Sequence, residues 1–207
     1  MKKGRMGICI VLLVCIVAAA GGLLFLGVIR VRMRGGTYIK AAEEDTRLGR
    51  VVCYRQDDAE WEEDALGDSS YTMKSSGCLV SCIATALSTS GDDITPGELN
   101  ALFSQNDVYD EDGNIQWKNI EKIDGYAVKV YDNVSKSDIN QCLEEGHYPI
   151  VRVRRHGWGS YHYVLIAGAK DKEYICMDPL SDRLLKLSDY KGMVYAVRCV
   201  WRKKSES

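Results

Sequence analysis

From Gly7 to Ile29 the chain carries no charged residue. At about 1.5 Å per helical residue this run reaches roughly 34 Å, enough to cross a hydrocarbon core of about 30 Å. The pattern predicts a transmembrane helix over 7–29, preceded by a basic N-terminus over 1–6 and followed by a polar stalk over 30–50. Beyond it, residues 51–202 read as one folded domain. Val51 to Arg55 is strand-like, and the acidic loop after it leads to an apolar run with helical spacing from Cys78, in which Ile83, Ala86 and Leu87 share a face. ITPGELNALF announces a helix: Thr95 is suited to the cap, Pro96 to the first turn, and Glu98 to closing a capping box. NIQWKNIEKI predicts a third helix and AVKVY (127–131) a strand. SKSDINQCLEEG predicts a helix with Ser135 at its cap and Gly146 at its end. PIVRVR, YHYVLIAGA, EYICMDP, RLLKL and MVYAVRCVW are short, β-branched and aromatic, and predict a meandering antiparallel sheet. Helices first and strands afterwards give an α+β domain, with N-terminal helices packed on a C-terminal antiparallel sheet, preceded by a single transmembrane helix.

Charge sharpens this division. Six of the 27 basic residues and none of the 29 acidic ones lie in the first 34 positions, so the rest of the chain carries a net charge of about −8. An acidic domain disfavours nucleic acid as a partner. A cleavable signal peptide competes with the anchor, because Lys2, Lys3 and Arg5 make a basic start and Ala18, Ala19 and Ala20 supply small residues. The apolar run continues past those alanines to a basic cluster, Arg30, Arg32 and Arg34, which favours an uncleaved anchor. Three Lys/Arg residues flank each end, so the positive-inside rule separates the orientations poorly. The signal-like start points the domain outward. The eight cysteines form no CxxC pair, so neither a disulfide framework nor a structural zinc site is expected, and most are expected to be reduced and buried.

Amide hydrolysis by a thiol needs a thiolate, a base, a group that orients the base, and donors for the oxyanion. Cys78 follows a glycine at the head of the predicted helix, where free backbone N–H groups and the macrodipole favour a thiolate; the other reading is a small core residue. His162 lies in the strand SYHYVLIAG, as a base or as an imidazole satisfied within the sheet. Asp178 ends the next strand, as the orienting carboxylate or as a plain Asp-Pro turn. Gln56 ends the first strand-like stretch, as an oxyanion donor or an unremarkable polar residue. The acidic loop 57–68 reads as solvated surface, and would favour basic peptides if it lined the cleft. Trp158 and Tyr161 offer an aromatic wall to a groove or ordinary strand packing.

Taken in order, these residues resemble the peptidase C39-like family of papain-fold cysteine peptidases. Tyr54, Gln56, Asp57 and Trp61 match its opening motif, and Gly77-Cys78 matches the start of its nucleophile helix. Thr95, Pro96, Glu98 and Leu99 follow its Thr-Pro-x-Glu-Leu. Gly146, Pro149 and Ile150 follow its Gly-x-Pro-Ile, His162 to Leu165 its His-Tyr-Val-Leu, and Asp178-Pro179 its Asp-Pro. The resemblance runs from Val51 to Trp201. It implies a papain-like fold, a Cys78 nucleophile, a His162 base, an Asp178 orienting group, a Gln56 oxyanion donor, no cofactor or metal, and a peptide or protein substrate. With the N-terminal helix, it implies a single-pass membrane peptidase or amidase with its soluble domain outside a bacterial cell. Leu79 and Val80 stand where the family has Gly-Pro, and Ser81 and Cys82 where it has Thr-Ser. The alternative function is therefore a catalytically impaired papain-like domain that binds peptides or acts as a scaffold.

Overall fold

Residues 2–32, 34–40, 45, 46 and 49–203 are described by the computed structural model, without the side chains of 2–13 and 32. The chain forms two units, Met1–Gly35 and Gly36–Ser207. The first is helix α1 (Lys2–Arg32), whose segment Val14–Val31 has a mean hydropathy of 2.3 and none of its residues buried. It is long and apolar enough to cross a membrane, a property that a signal sequence shares.

The second unit mixes helices with an antiparallel sheet. In chain order it contains β1 (Thr37–Tyr38), α2 (Met73–Ser76), α3 (Cys78–Thr89), α4 (Pro96–Gln105), α5 (Trp117–Ile120), β2 (Tyr126–Val130) and α6 (Lys136–Glu144). There follow β3 (Ile150–Arg154), β4 (Tyr161–Lys170), β5 (Glu173–Met177), β6 (Leu185–Lys186), β7 (Met193–Val194) and β8 (Ala196–Arg202). The described residues form a six-stranded sheet in the order β2-β8-β3-β4-β5-β6, with all pairs antiparallel. The meander expected of the last strands holds from β3 to β6. β8 then returns to lie between β3 and β2.

Helix α3 is buried from Val80 through Leu87, as a helix apolar all round must be. One core joins it and α4 to one sheet face through Leu99, Phe103, Ile150 and Leu165; on the other face Ile139, Val151, Val164 and Ile166 form a second. The capping box forms as the sequence predicts: Thr95 Oγ1 accepts from the Glu98 N–H at 3.2 Å, and Glu98 Oε2 accepts from the Thr95 N–H at 2.8 Å. Ser135 caps α6 by accepting from the Asp138 N–H at 3.1 Å, and Gly146 leaves that helix at φ +81°.

Several expectations are corrected. Val51 to Arg55 is not a strand: the Val52 and Tyr54 N–H groups donate to the Thr89 and Thr85 hydroxyls of α3, at 3.1 and 3.4 Å, instead of to a ladder. The third helix shrinks to the single turn α5. Its predicted first residues are drawn into a loop in which Asp110 Oδ1 accepts from the Asn114 N–H at 2.8 Å. Of the expected stalk, 33, 41–44, 47 and 48 lie outside the described residues. Thr37 and Tyr38 pair with β7, Ile39 is buried, and the Thr46 N–H donates to the Ala169 carbonyl at 2.9 Å, so these positions pack on the domain. Most of the described cysteines are reduced, as expected, but Cys142 of α6 and Cys199 of β8 form a disulfide that was not expected.

Candidate active site

Cys78 is the first residue of α3, and the chain reaches it through a tight junction. Thr72 caps α2 with a capping box to Ser75, α2 ends after one turn, and α3 begins directly beyond Gly77. A Cβ on Gly77 would lie 2.5 Å from the Met73 carbonyl oxygen and 2.8 Å from the Met73 Cα, so the junction closes only with glycine. As the first helical residue, Cys78 has a backbone N–H with no intrahelical acceptor. The carbonyl four residues earlier, Lys74, accepts instead from Gln56 Nε2 at 2.7 Å.

One turn further along α3, Cys82 is fully buried and its thiol lies 3.5 Å from the Tyr163 carbonyl oxygen. That contact seats α3 on β4 next to His162. Burial pushes the Cys82 thiol well above its ordinary pKa, helped by the charges around it.

His162 is 3 % exposed near the start of β4, opposite Val153 of β3. β4 and β5 are antiparallel neighbours with Leu165 facing Met177, which brings the residue after β5 alongside the start of β4. There His162 Nε2 donates to Asp178 Oδ1 at 2.7 Å. Nδ1 is not engaged by Asp178, and the Cys78 thiol lies close enough to act on the ionisation of the ring. Burial alone lowers the His162 pKa. The hydrogen bonds with Asp178 and Cys78, with the charges of both, outweigh it and raise the pKa from 6.5 to about 9.

Asp178 is 8 % exposed and has three donors: His162, the Leu180 N–H at 2.8 Å, and the Tyr190 hydroxyl. Burial acts to raise its carboxyl, but the hydrogen bonds and the imidazolium charge hold it below the usual carboxylate range. Tyr190 was not foreseen from the sequence. It belongs to a 3-10 turn, Leu187–Tyr190, and nothing in LSDY distinguishes it from the other tyrosines.

Gln56 is 3 % exposed and held at both ends of the site. Its N–H donates to the Pro179 carbonyl at 3.1 Å, directly after Asp178, while Nε2 donates to Lys74 behind Cys78. Nε2 also lies 3.5 Å from the Met73 carbonyl, and Oε1 is buried without a hydrogen-bond partner. The preceding turn is braced by the Trp61 indole N–H, which donates to the Arg55 carbonyl at 2.8 Å, and by Arg55 clasping Asp57 at 2.8 and 2.9 Å.

Gln56, Cys78 and His162 line one cleft of about 770 Å³, with Asp178 directly behind the imidazole. The four residues given catalytic roles from sequence, Gln56, Cys78, His162 and Asp178, therefore meet at one place. No protein-family model matches the chain, and neither does any curated protein. The chemistry of the cleft is accordingly argued from its own atoms. A sulfur at a helix N-terminus, on the same cleft as an imidazole held by a buried carboxylate, is an arrangement suited to nucleophilic thiol chemistry.

Leu79 and Tyr161 also line the cleft, whereas Trp158 is 44 % exposed and not on its wall. The carboxylates of the acidic loop 57–68 are not on the wall either; Glu62 pairs with Lys74 at 2.8 Å outside it. The condition for a preference for basic peptides is thus not met. Among the described residues no group of three or more His, Cys, Asp or Glu side chains has a metal-binding arrangement.

Proposed function

We propose that this chain is a cysteine peptidase or amidase with a papain-like fold, of the kind the peptidase C39-like family represents. The observation that carries the reading is the convergence of Gln56, Cys78 and His162 on one cleft, with Asp178 bonded to the imidazole behind it. In the proposed cycle the Cys78 thiolate attacks the scissile carbonyl carbon, forming the C–S bond and moving an electron pair to oxygen. The backbone N–H of Cys78 donates to that oxyanion, joined by Gln56 Nε2 when it turns from the Met73 carbonyl. The tetrahedral carbon collapses, the C–N bond breaks, and the His162 imidazolium gives its proton to the leaving amine. Water, deprotonated by the neutral imidazole, then hydrolyses the thioester and returns the thiol. Asp178 stays ionised and keeps the ring oriented. Full-length protein in detergent should hydrolyse members of an internally quenched peptide pool, and Cys78→Ala should abolish it; hydrolysis that survives Cys78→Ala would refute this reading.

A second reading rests on Leu79, whose side chain lies on the cleft wall beside the sulfur where the family has glycine. A domain narrowed there would bind peptides without turning them over. Turnover by Leu79→Gly that the unaltered chain lacks would favour it.

The proposal places the domain outside the cell, with α1 as its anchor. The Cys142–Cys199 disulfide supports that side, because such bonds persist in oxidising compartments.

A further inference from the structure

The soluble domain is acidic, yet its cleft is not. Three arginines, Arg152, Arg155 and Arg198, stand on the wall against a single carboxylate, Asp112. Arg152 and Arg198 are the informative pair. Arg152 of β3 lies opposite Tyr163 of β4 and Ala196 of β8, and Arg198 lies opposite Ile150, so the two arginines are diagonal neighbours on one face of the sheet. Among the described residues no carboxylate lies within ion-pair distance of either. The Nε of each is buried and has no hydrogen-bond partner. Aromatic rings support the guanidinium planes: Tyr161 lies 4.5 Å from the Arg152 Cζ and Trp117 lies 5.5 Å from that of Arg198. Only Arg198 donates to carbonyls, those of Val197 at 2.7 Å and Tyr131 at 3.4 Å.

Two like charges held side by side and partly dried raise each other's cost. Burial lowers the Arg198 pKa, and the Arg152 charge acts in the same direction. Structural arginines in such a position ordinarily have a carboxylate within reach. Here the Asp132 charge acts on Arg198 only from beyond ion-pair distance, and the unpartnered Nε donors belong to residues on a cleft that also holds the Cys78 sulfur. The Tyr163 hydroxyl lies among them, close enough for Arg152, Arg198 and Cys78 all to act on its ionisation.

We infer that Arg152 and Arg198 form a carboxylate-binding subsite, and that the cleft takes peptides carrying an acidic side chain or a free C-terminal carboxylate beside the bond presented to Cys78. This rests on the reading of the cleft as a peptide site. A carboxylate supplies two planar acceptors to guanidinium forks that rings already hold flat, and cancels the repulsion between the arginines.

The test uses the full-length chain in detergent and peptides matched except for Glu against Gln, each with a free or an amidated C-terminus. Hydrolysis is measured with the native chain, and binding by fluorescence anisotropy with Cys78→Ala. A charge-assisted, partly desolvated pair predicts roughly a 10- to 100-fold preference in kcat/KM or Kd for the carboxylate-bearing member, lost in Arg152→Gln and Arg198→Gln. Retained turnover or binding of the Gln peptide shows that those variants are folded. Preference for Glu whatever the C-terminus assigns the subsite to a side chain; preference only for the free C-terminus assigns it to the terminal carboxylate. Equal handling of Glu and Gln peptides with either terminus, alongside hydrolysis that needs Cys78, would overturn the subsite and leave the catalytic reading intact. Arginine-dependent binding of carboxylate peptides without hydrolysis would do the reverse.

Discussion

Asp178 is the residue on which the site's electrostatics turn. It holds the His162 ring and is itself held by the Leu180 N–H and the Tyr190 hydroxyl. In Tyr190→Phe one of these donors is lost from a buried anion, which predicts a loss of stability of about 1–3 kcal/mol in urea titration. The variant's carboxyl should also be less depressed. A carboxylate whose folded pKa is depressed contributes stability that is present above its unfolded value and lost as pH falls through the folded value. Tyr190→Phe should therefore begin to lose stability at a higher pH than the native chain. His162 has the opposite sign. Its pKa is raised from 6.5 to about 9, so its contribution is complete below pH 6.5 and fades as pH rises through about 9. In the proposed cycle the same deprotonation removes the proton needed by the leaving amine. Turnover should accordingly fall on an alkaline limb centred near pH 9, read from kcat/KM against pH.

The decisive element is the junction between α2 and α3. Gly77→Ala puts a methyl group against the Met73 carbonyl, which is backbone and cannot step aside. Destabilisation of about 2 kcal/mol or more and loss of Cys78 reactivity are expected together. Thr95→Ala, which removes the α4 cap far from the sulfur, should cost about 1 kcal/mol and leave Cys78 reactivity unchanged. The elements legible in the sequence were those whose signals are local. The Thr95–Glu98 box, the Ser135 cap and the apolar run of α3 act within a few residues of themselves. The misreadings came where distant side chains intervene: threonines of α3 take the backbone of 52–54, and Asp110 unwinds the start of the expected third helix. The candidate site was legible as residue types in order. Tyr190 and the Arg152–Arg198 pair were not, because they meet the cleft only through strand register and a turn.

At the scale of the whole molecule, the Cys142–Cys199 bond links α6 to the strand that closes the sheet, across 57 residues. Replacing both cysteines with serine should lower stability by about 4 kcal/mol in a loop-entropy account, seen as a lower midpoint of chemical unfolding. A faster-migrating native band without reductant would show the bond itself. Protease added outside intact cells should reach the domain if α1 anchors it outward. The central claim is narrower than topology: that Cys78 is activated by His162. Iodoacetamide alkylation at neutral pH, followed thiol by thiol by peptide mass, tests it directly. Cys53 is the internal reference, a free and exposed thiol whose pKa partial burial pushes up. Cys78 should react at least about tenfold faster than Cys53, and His162→Ala should erase the difference. Equal rates at Cys78 and Cys53 in the native chain, unchanged by His162→Ala, would contradict the account.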